Sequence, residues 1–136
     1  MAFLERDMAR LQRYTHSCIF CSMVSKPLVW VGSSLDLLRA CPPDARRLAG
    51  YQLRRVQSGL MPSDWKPMAS VGPGVCEIRI HTEREHRVFY VARFAEAVYV
   101  LHACEKRTRR TRQADIDSAK ARLTELHILR RQRKER

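Results

Sequence analysis

Residues 75–111, VCEIRIHTEREHRVFYVARFAEAVYVLHACEKRTRRT, decide how this chain folds. Three apolar or alternating runs lie there, separated by short polar turns. In the first, Cys76, Ile78 and Ile80 share one face, and Glu77, Arg79 and His81 share the other. That is the period-two pattern of a half-buried strand. The second run puts Val88, Tyr90, Ala92 and Phe94 opposite Arg87, Phe89, Val91 and Arg93. The third, Ala97 to Cys104, is apolar at nearly every position, as expected of a strand covered on both sides. It leads directly into Lys106, Arg107, Arg109, Arg110 and Arg112. A small antiparallel sheet that carries arginines among apolar residues and ends in a basic segment suits a polyanion.

Upstream, Leu28 to Val31 reads as a short strand, and Ser33 or Ser34 can cap a short helix with Leu35 and Leu38 turned inward. Pro42 and Pro43 end that helix. Pro43 suits the first turn of the next one, where its missing N–H is not needed. The second helix is expected from Asp44 to Ser58, with Ala45, Leu48, Ala49, Leu53 and Val56 on its apolar face. Arg46, Arg47, Arg54 and Arg55 form a solvated face, and Gly59 stops the helix. Residues 61–74 are rich in Pro and Gly, with a short strand expected at Met68 to Val71. Downstream, Ile116, Ala119, Leu123 and Leu126 mark the core face of a helix from Gln113 to about Arg131. The order is β, α, α, three or four antiparallel strands, then α. The expected fold class is α+β, a twisted sheet with two helices on one face and part of the other left open.

The chain has 136 residues, enough for one domain with a real core. Hydrophobic residues make up 45%, which argues against disorder of the whole. Lys and Arg number 26 against 14 Asp and Glu, giving a net charge of +12. Such an excess repels itself and makes sense beside an anionic partner: nucleic acid, a ribosome or an acidic protein. No apolar run approaches the ~18 residues of a membrane span. Glu5, Arg6, Asp7 and Arg10 interrupt any signal-like core, so a cytoplasmic protein is expected, with no membrane partner. The five cysteines (18, 21, 41, 76 and 104) are odd in number, which favours reduced thiols. His16, Cys18 and Cys21 lack a second ligand pair, so neither a metal nor a cofactor is expected. Residues 1–26 read as a disordered or mis-started extension with Met23 as an alternative start, 27–131 as the domain, and 132–136 as a basic tail that frays.

Several segments then carry a resemblance. They are Trp30 to Ser34 (WVGSS), Ala49 to Leu60 (AGYQLRRVQSGL), Trp65 to Met68 (WKPM) and Gly74 to Ile80 (GVCEIRI). His86 to Tyr90 (HRVFY), Val100 to Thr108 (VLHACEKRT) and Asp115 to Arg122 (DIDSAKAR) follow in order. The chain resembles the phage-derived Gp49-like, HigB-type branch of the RelE/ParE toxins of type II toxin–antitoxin modules. The resemblance implies a RelE-like fold and an endoribonuclease that cleaves mRNA, commonly on the ribosome. It also implies neutralisation by a helix-turn-helix, HigA-like antitoxin. ParE-side members poison gyrase instead, so a gyrase poison or an inactive homologue acting by protein binding is the alternative.

RNA cleavage without metal needs a proton acceptor for the 2′-OH, cations for the phosphorane and a proton donor for the leaving oxygen. The resemblance assigns these catalytic tasks to Lys66, Arg79, Arg87 and Lys106, and RNA docking to Arg107, Arg109, Arg110 and Arg112. Arg79 can instead form a cross-strand pair with Glu77 or Glu96. Tyr90 and His102 are expected in the core, and His81 and His86 flank an exposed turn. One departure from the family pattern is Glu105, a carboxylate beside the phosphate site that would offset part of its potential; it can serve as a base, pair with Arg107 or Arg109, or mark weakened activity. A plain RNA-binding sheet ranks last, because Phe89 is the only clear aromatic on the charged face.

Overall fold

The computed structural model describes residues 25–134. Its elements are β1 (Leu28–Trp30), α1 (Ser34–Arg39), α2 (Pro43–Gln57), β2 (Trp65–Pro67), β3 (Val75–His81), β4 (Glu85–Val91), β5 (Val98–Lys106) and α3 (Gln113–Lys134). They form an α+β structure around one five-stranded sheet in the order β1-β5-β4-β3-β2. β1 lies parallel to β5 and every other pair is antiparallel, so the sheet is mixed. The two-residue alternation of the opening stretch sorts the side chains between two cores. On one face, Ile78, Ile80, Val88, Tyr90, Val98 and Val100 pack against Leu35 and Leu38 of α1 and Ala45, Ala49, Leu53 and Val56 of α2. On the other, Val75, Phe89, Val91, Tyr99 and Leu101 pack against Ala119, Leu123 and Leu126 of α3. β5 is buried from Val98 to Ala103 because it has a helix on each side.

Several local expectations change. The strand before β3 is Trp65–Pro67, and Met68 and Val71 instead bury a tight turn closed by a Val71 N–H to Met68 carbonyl bond. β4 ends at Val91, so its alternation does not reach Phe94, which packs on the α3 side against Tyr99. Leu48 is 40% exposed, on the flank of α2 and not on its buried stripe. α3 continues through Lys134, past the expected end. Lys26, placed in the extension by its sequence, belongs to the folded part: its ammonium donates to the Ala92 and Phe94 carbonyls. The expectations for residues 1–24, including the His16, Cys18 and Cys21 cluster, lie outside the described residues. Gly32 allows the turn from β1 into α1 with φ +58, a region that costs other residues strain. Beside it, Arg122 of α3 donates to the Ser33 hydroxyl, tying α3 to that corner.

Candidate anion-binding site

α3 covers only part of its sheet face. Toward the β3–β4 turn the same face is polar, and the strand register shows what shares it. Directly opposed residues in a ladder point the same way. One row is Lys66, Glu77, Phe89 and His102; the next is Arg79, Arg87 and Cys104; the last is His81, Glu85 and Lys106. Lys66, Arg79, Arg87 and Lys106 therefore come from four strands to one face. Their charges interact, because Lys106 is pulled below the ordinary lysine value. Desolvation is the main cause, and Arg87, Lys66 and Arg79 add to it, with Glu77 opposing.

Two residues give this face a structure that cation counting misses. Glu77 is completely buried in the middle of it. Its Oε1 lies 2.7 Å from Nε of Arg87, itself 7% exposed in its side chain, and 3.8 Å from Nε of Arg79. The Arg87 contact is close but its N–H is not aimed at the oxygen, so it is an ion pair without an aligned hydrogen bond. Asp64, just ahead of β2, lies 3.8 Å from Arg79 Nη1 and 2.6 Å from His81 Nε2. Glu85 closes the circuit: its carboxylate is 2.8 Å from His81 Nδ1 and 3.1 Å from Arg87 Nη1. The six side chains form a ring of alternating charge when His81 is protonated. The hydrogen bonds His81 donates to Glu85 and then to Asp64 raise its pKa, and the same His81 bond lowers that of Glu85.

The family model for phage-derived Gp49-like proteins matches residues 36–124, well over half of the chain and every element from α1 to most of α3. The chain belongs to the Gp49-like family. That family is one of RelE/HigB-like toxins. No curated protein matches the sequence.

Other expected residues of this Gp49-like chain fall elsewhere. Glu105 pairs with His86 in the ladder, so it points to the opposite sheet face from Lys106 and Arg87. It does not face the cation group. It lies 3.6 Å from Arg84 and 3.6 Å from Arg107 instead. Arg109, Arg110 and Arg112 are exposed in the β5–α3 connection that follows Lys106. His86, expected at an exposed turn, is 3% exposed in β4, whereas His81 is exposed. Tyr90 is core, and burial pushes its phenol up. His102 is buried, stacked on Phe89 at 5.9 Å, with Nε2 2.9 Å from Asp115 Oδ1. Phe89 is fully buried and cannot stack on a base, which removes the support for a plain RNA-binding sheet. Glu96 pairs with Arg130, not Arg79. Glu77 and Asp64 are the residues of this charged face that motif comparison missed. The alternation already put Glu77 beside Arg79, but nothing in the sequence said that Asp64 would reach the same face.

Proposed function

We propose that this Gp49-like protein is the toxin of a type II toxin–antitoxin module and a metal-independent endoribonuclease that cuts mRNA on the ribosome in the cytoplasm. A helix-turn-helix antitoxin neutralises it. The observation that carries this reading is the gathering of Lys66, Arg79, Arg87 and Lys106 on one face, close enough for three of them to lower the pKa of the fourth. In it, Lys66 and the part-exposed Arg79 hold the scissile phosphate, where a planar fork or a point cation offsets charge building on the phosphorane. Lys106, with its depressed pKa, gives up a proton more readily than an ordinary lysine and is the proton-transfer group. Arg87 is too buried to be a first contact for RNA and acts as a positioning residue through Glu77 and Glu85. Arg107, Arg109, Arg110 and Arg112 grip the backbone of RNA beyond the cut. Their salt-sensitive contacts add affinity without sequence choice.

A second reading has one observation in its favour. Asp64, Glu77 and Glu85 already occupy Arg79 and Arg87, and this neutralises part of the face. That suits a protein-binding toxin, such as a gyrase poison, or an inactive homologue. Expression of the chain alone separates them. The nuclease predicts arrest of protein synthesis that is lost in an Arg79→Ala, Lys106→Ala variant of unchanged thermal stability. Arrest of replication with translation intact would support the gyrase reading, and normal growth at confirmed expression the inactive one.

A further inference from the structure

We infer that His102, Cys104 and Asp115 form a binding site for one divalent transition-metal ion of the zinc class, which pins the start of α3 to β5. Their donor atoms all lie within 4.8 Å of one another. His102 and Cys104 are two residues apart on β5 and so project from the same face. Asp115 belongs to the first turn of α3, whose start is fixed by its own N–H and that of Ile116 bonding to the Arg112 carbonyl. The chain thus brings the third donor back over the strand that supplies the first two.

The details suit an ion. The His102 Nε2 faces Asp115 Oδ1 at 2.9 Å, and stacking on Phe89 fixes the ring plane. Donors bound to zinc at about 2.0–2.3 Å stand roughly 3.5 Å apart. An ion therefore replaces the proton shared by His102 and Asp115, spreads that 2.9 Å pair slightly, and draws the widest pair, within 4.8 Å, together by about one ångström. Imidazole, thiolate and carboxylate together favour Zn²⁺ or Co²⁺ over Mg²⁺ or Ca²⁺. One thiolate and one carboxylate also cancel the charge of a divalent ion, which matters beside Arg87 and Arg112. Thr108 and Thr111 border a narrow crevice beside Cys104 and Asp115 that has no room for a water molecule, so a fourth ligand enters only if this wall moves outward. The ion has no part in the proposed RNA chemistry: it holds the basic 107–112 connection in place beside Lys106.

The test uses the reduced full-length chain, freed of metal and titrated with Co²⁺. One equivalent should produce a thiolate-to-metal charge-transfer band in the near ultraviolet, and Zn²⁺ should abolish it. Excess Zn²⁺ should raise Tm by several degrees, as expected of a ligand held by the native state alone. Cys104→Ser should remove the band, and His102→Gln or Asp115→Asn should weaken Co²⁺ binding at least tenfold. His16, Cys18 and Cys21 are a second place a metal could go, so a Cys18→Ser, Cys21→Ser variant, which leaves the proposed site intact, is the deciding sample. It should keep the full band. If the band disappears there, or survives in Cys104→Ser, or never forms in the parent, the trio is an ordinary aspartate–histidine hydrogen bond beside a buried thiol.

Discussion

The two faces of the sheet are built on opposite principles. The face under α1 and α2 is held by apolar packing, with Leu53, Ile78 and Val100 each at 1% exposure or less. The α3 face is divided: one half packs on Leu123 and Leu126, and the other replaces packing with a ring of paired charges. Shape complementarity is forgiving, since a core that loses a methylene can partly collapse. A buried ion pair is not, since removing one partner leaves a desolvated charge behind. The charged half should therefore be the more brittle part of the molecule, although it holds far less apolar surface.

The sharpest way to break this comparison is to delete one residue from each face. Glu77→Ala leaves the buried Arg87 Nε without its carboxylate, with only Glu85 and the His86 carbonyl remaining at Nη1, and should cost about 3–5 kcal/mol. Leu53→Ala should cost about 2–5 kcal/mol, through lost transfer energy and the cavity it leaves. Urea denaturation at neutral pH measures both. The identity of the mechanism shows in a second variant: Glu77→Ala combined with Arg87→Met should recover most of the loss, because an apolar pair can replace a buried ionic one. If Glu77→Ala alone is neutral, Glu85 and the His86 carbonyl suffice for Arg87, and Glu77 does not organise this face.

A gentler probe is pH. His81 has a raised pKa in the folded state, so its contribution is fully present below its ordinary value of 6.5 and is lost as pH rises through the raised folded value. Glu85 has a lowered pKa, so its contribution is present above 4.5 and is lost as pH falls through the lowered folded value. The ring is strongest between those two limits. His81 is exposed and Glu85 half-buried, so water and salt screen the effect and it should be smaller than that of Glu77. The Tm difference between the parent and His81→Gln should be largest near pH 5–6, shrink at alkaline pH, and shrink again in high salt. A difference that ignores pH would mean that His81 acts by packing alone.

How far the sequence could be read follows the same division. Ile78, Ile80, Val88 and Tyr90 were legible because alternation encodes which side of a strand faces a core. The same rule placed Arg79 and Arg87 together on the other side. It could not give the partners, since an ion pair depends on register between strands that are remote in sequence. Lys66 and Glu77 face one another only because β2 falls at Trp65–Pro67 and not at Met68 to Val71, where apolar residues suggested a strand. Glu105 makes the expected pair with Arg107, but it was misplaced beside the phosphate site for a simpler reason. Its neighbours in sequence, Cys104 and Lys106, lie on the charged face, and one step along a strand reverses the side chain.

The smallest effect should come from α2, where helical periodicity put Leu48 and Leu53 on one apolar face. Five residues apart, they are separated by well over a right angle around the helix axis. Leu53 is buried in the core that includes Ile78 and Val88, while Leu48 is exposed, as is Tyr51 at 55%. Leu48 lies on the border of the stripe, where spacing alone cannot say whether the sheet extends far enough to cover it. Leu48→Ala should therefore change stability by less than about 1 kcal/mol, since truncations at exposed sites remove little buried surface. Measured beside Leu53→Ala in the same urea series, it sets the scale of a leucine that only looks like core. Equal losses at the two positions would mean that something covers the flank of α2 in solution, and that the helix-covered face extends further than the sheet beneath it.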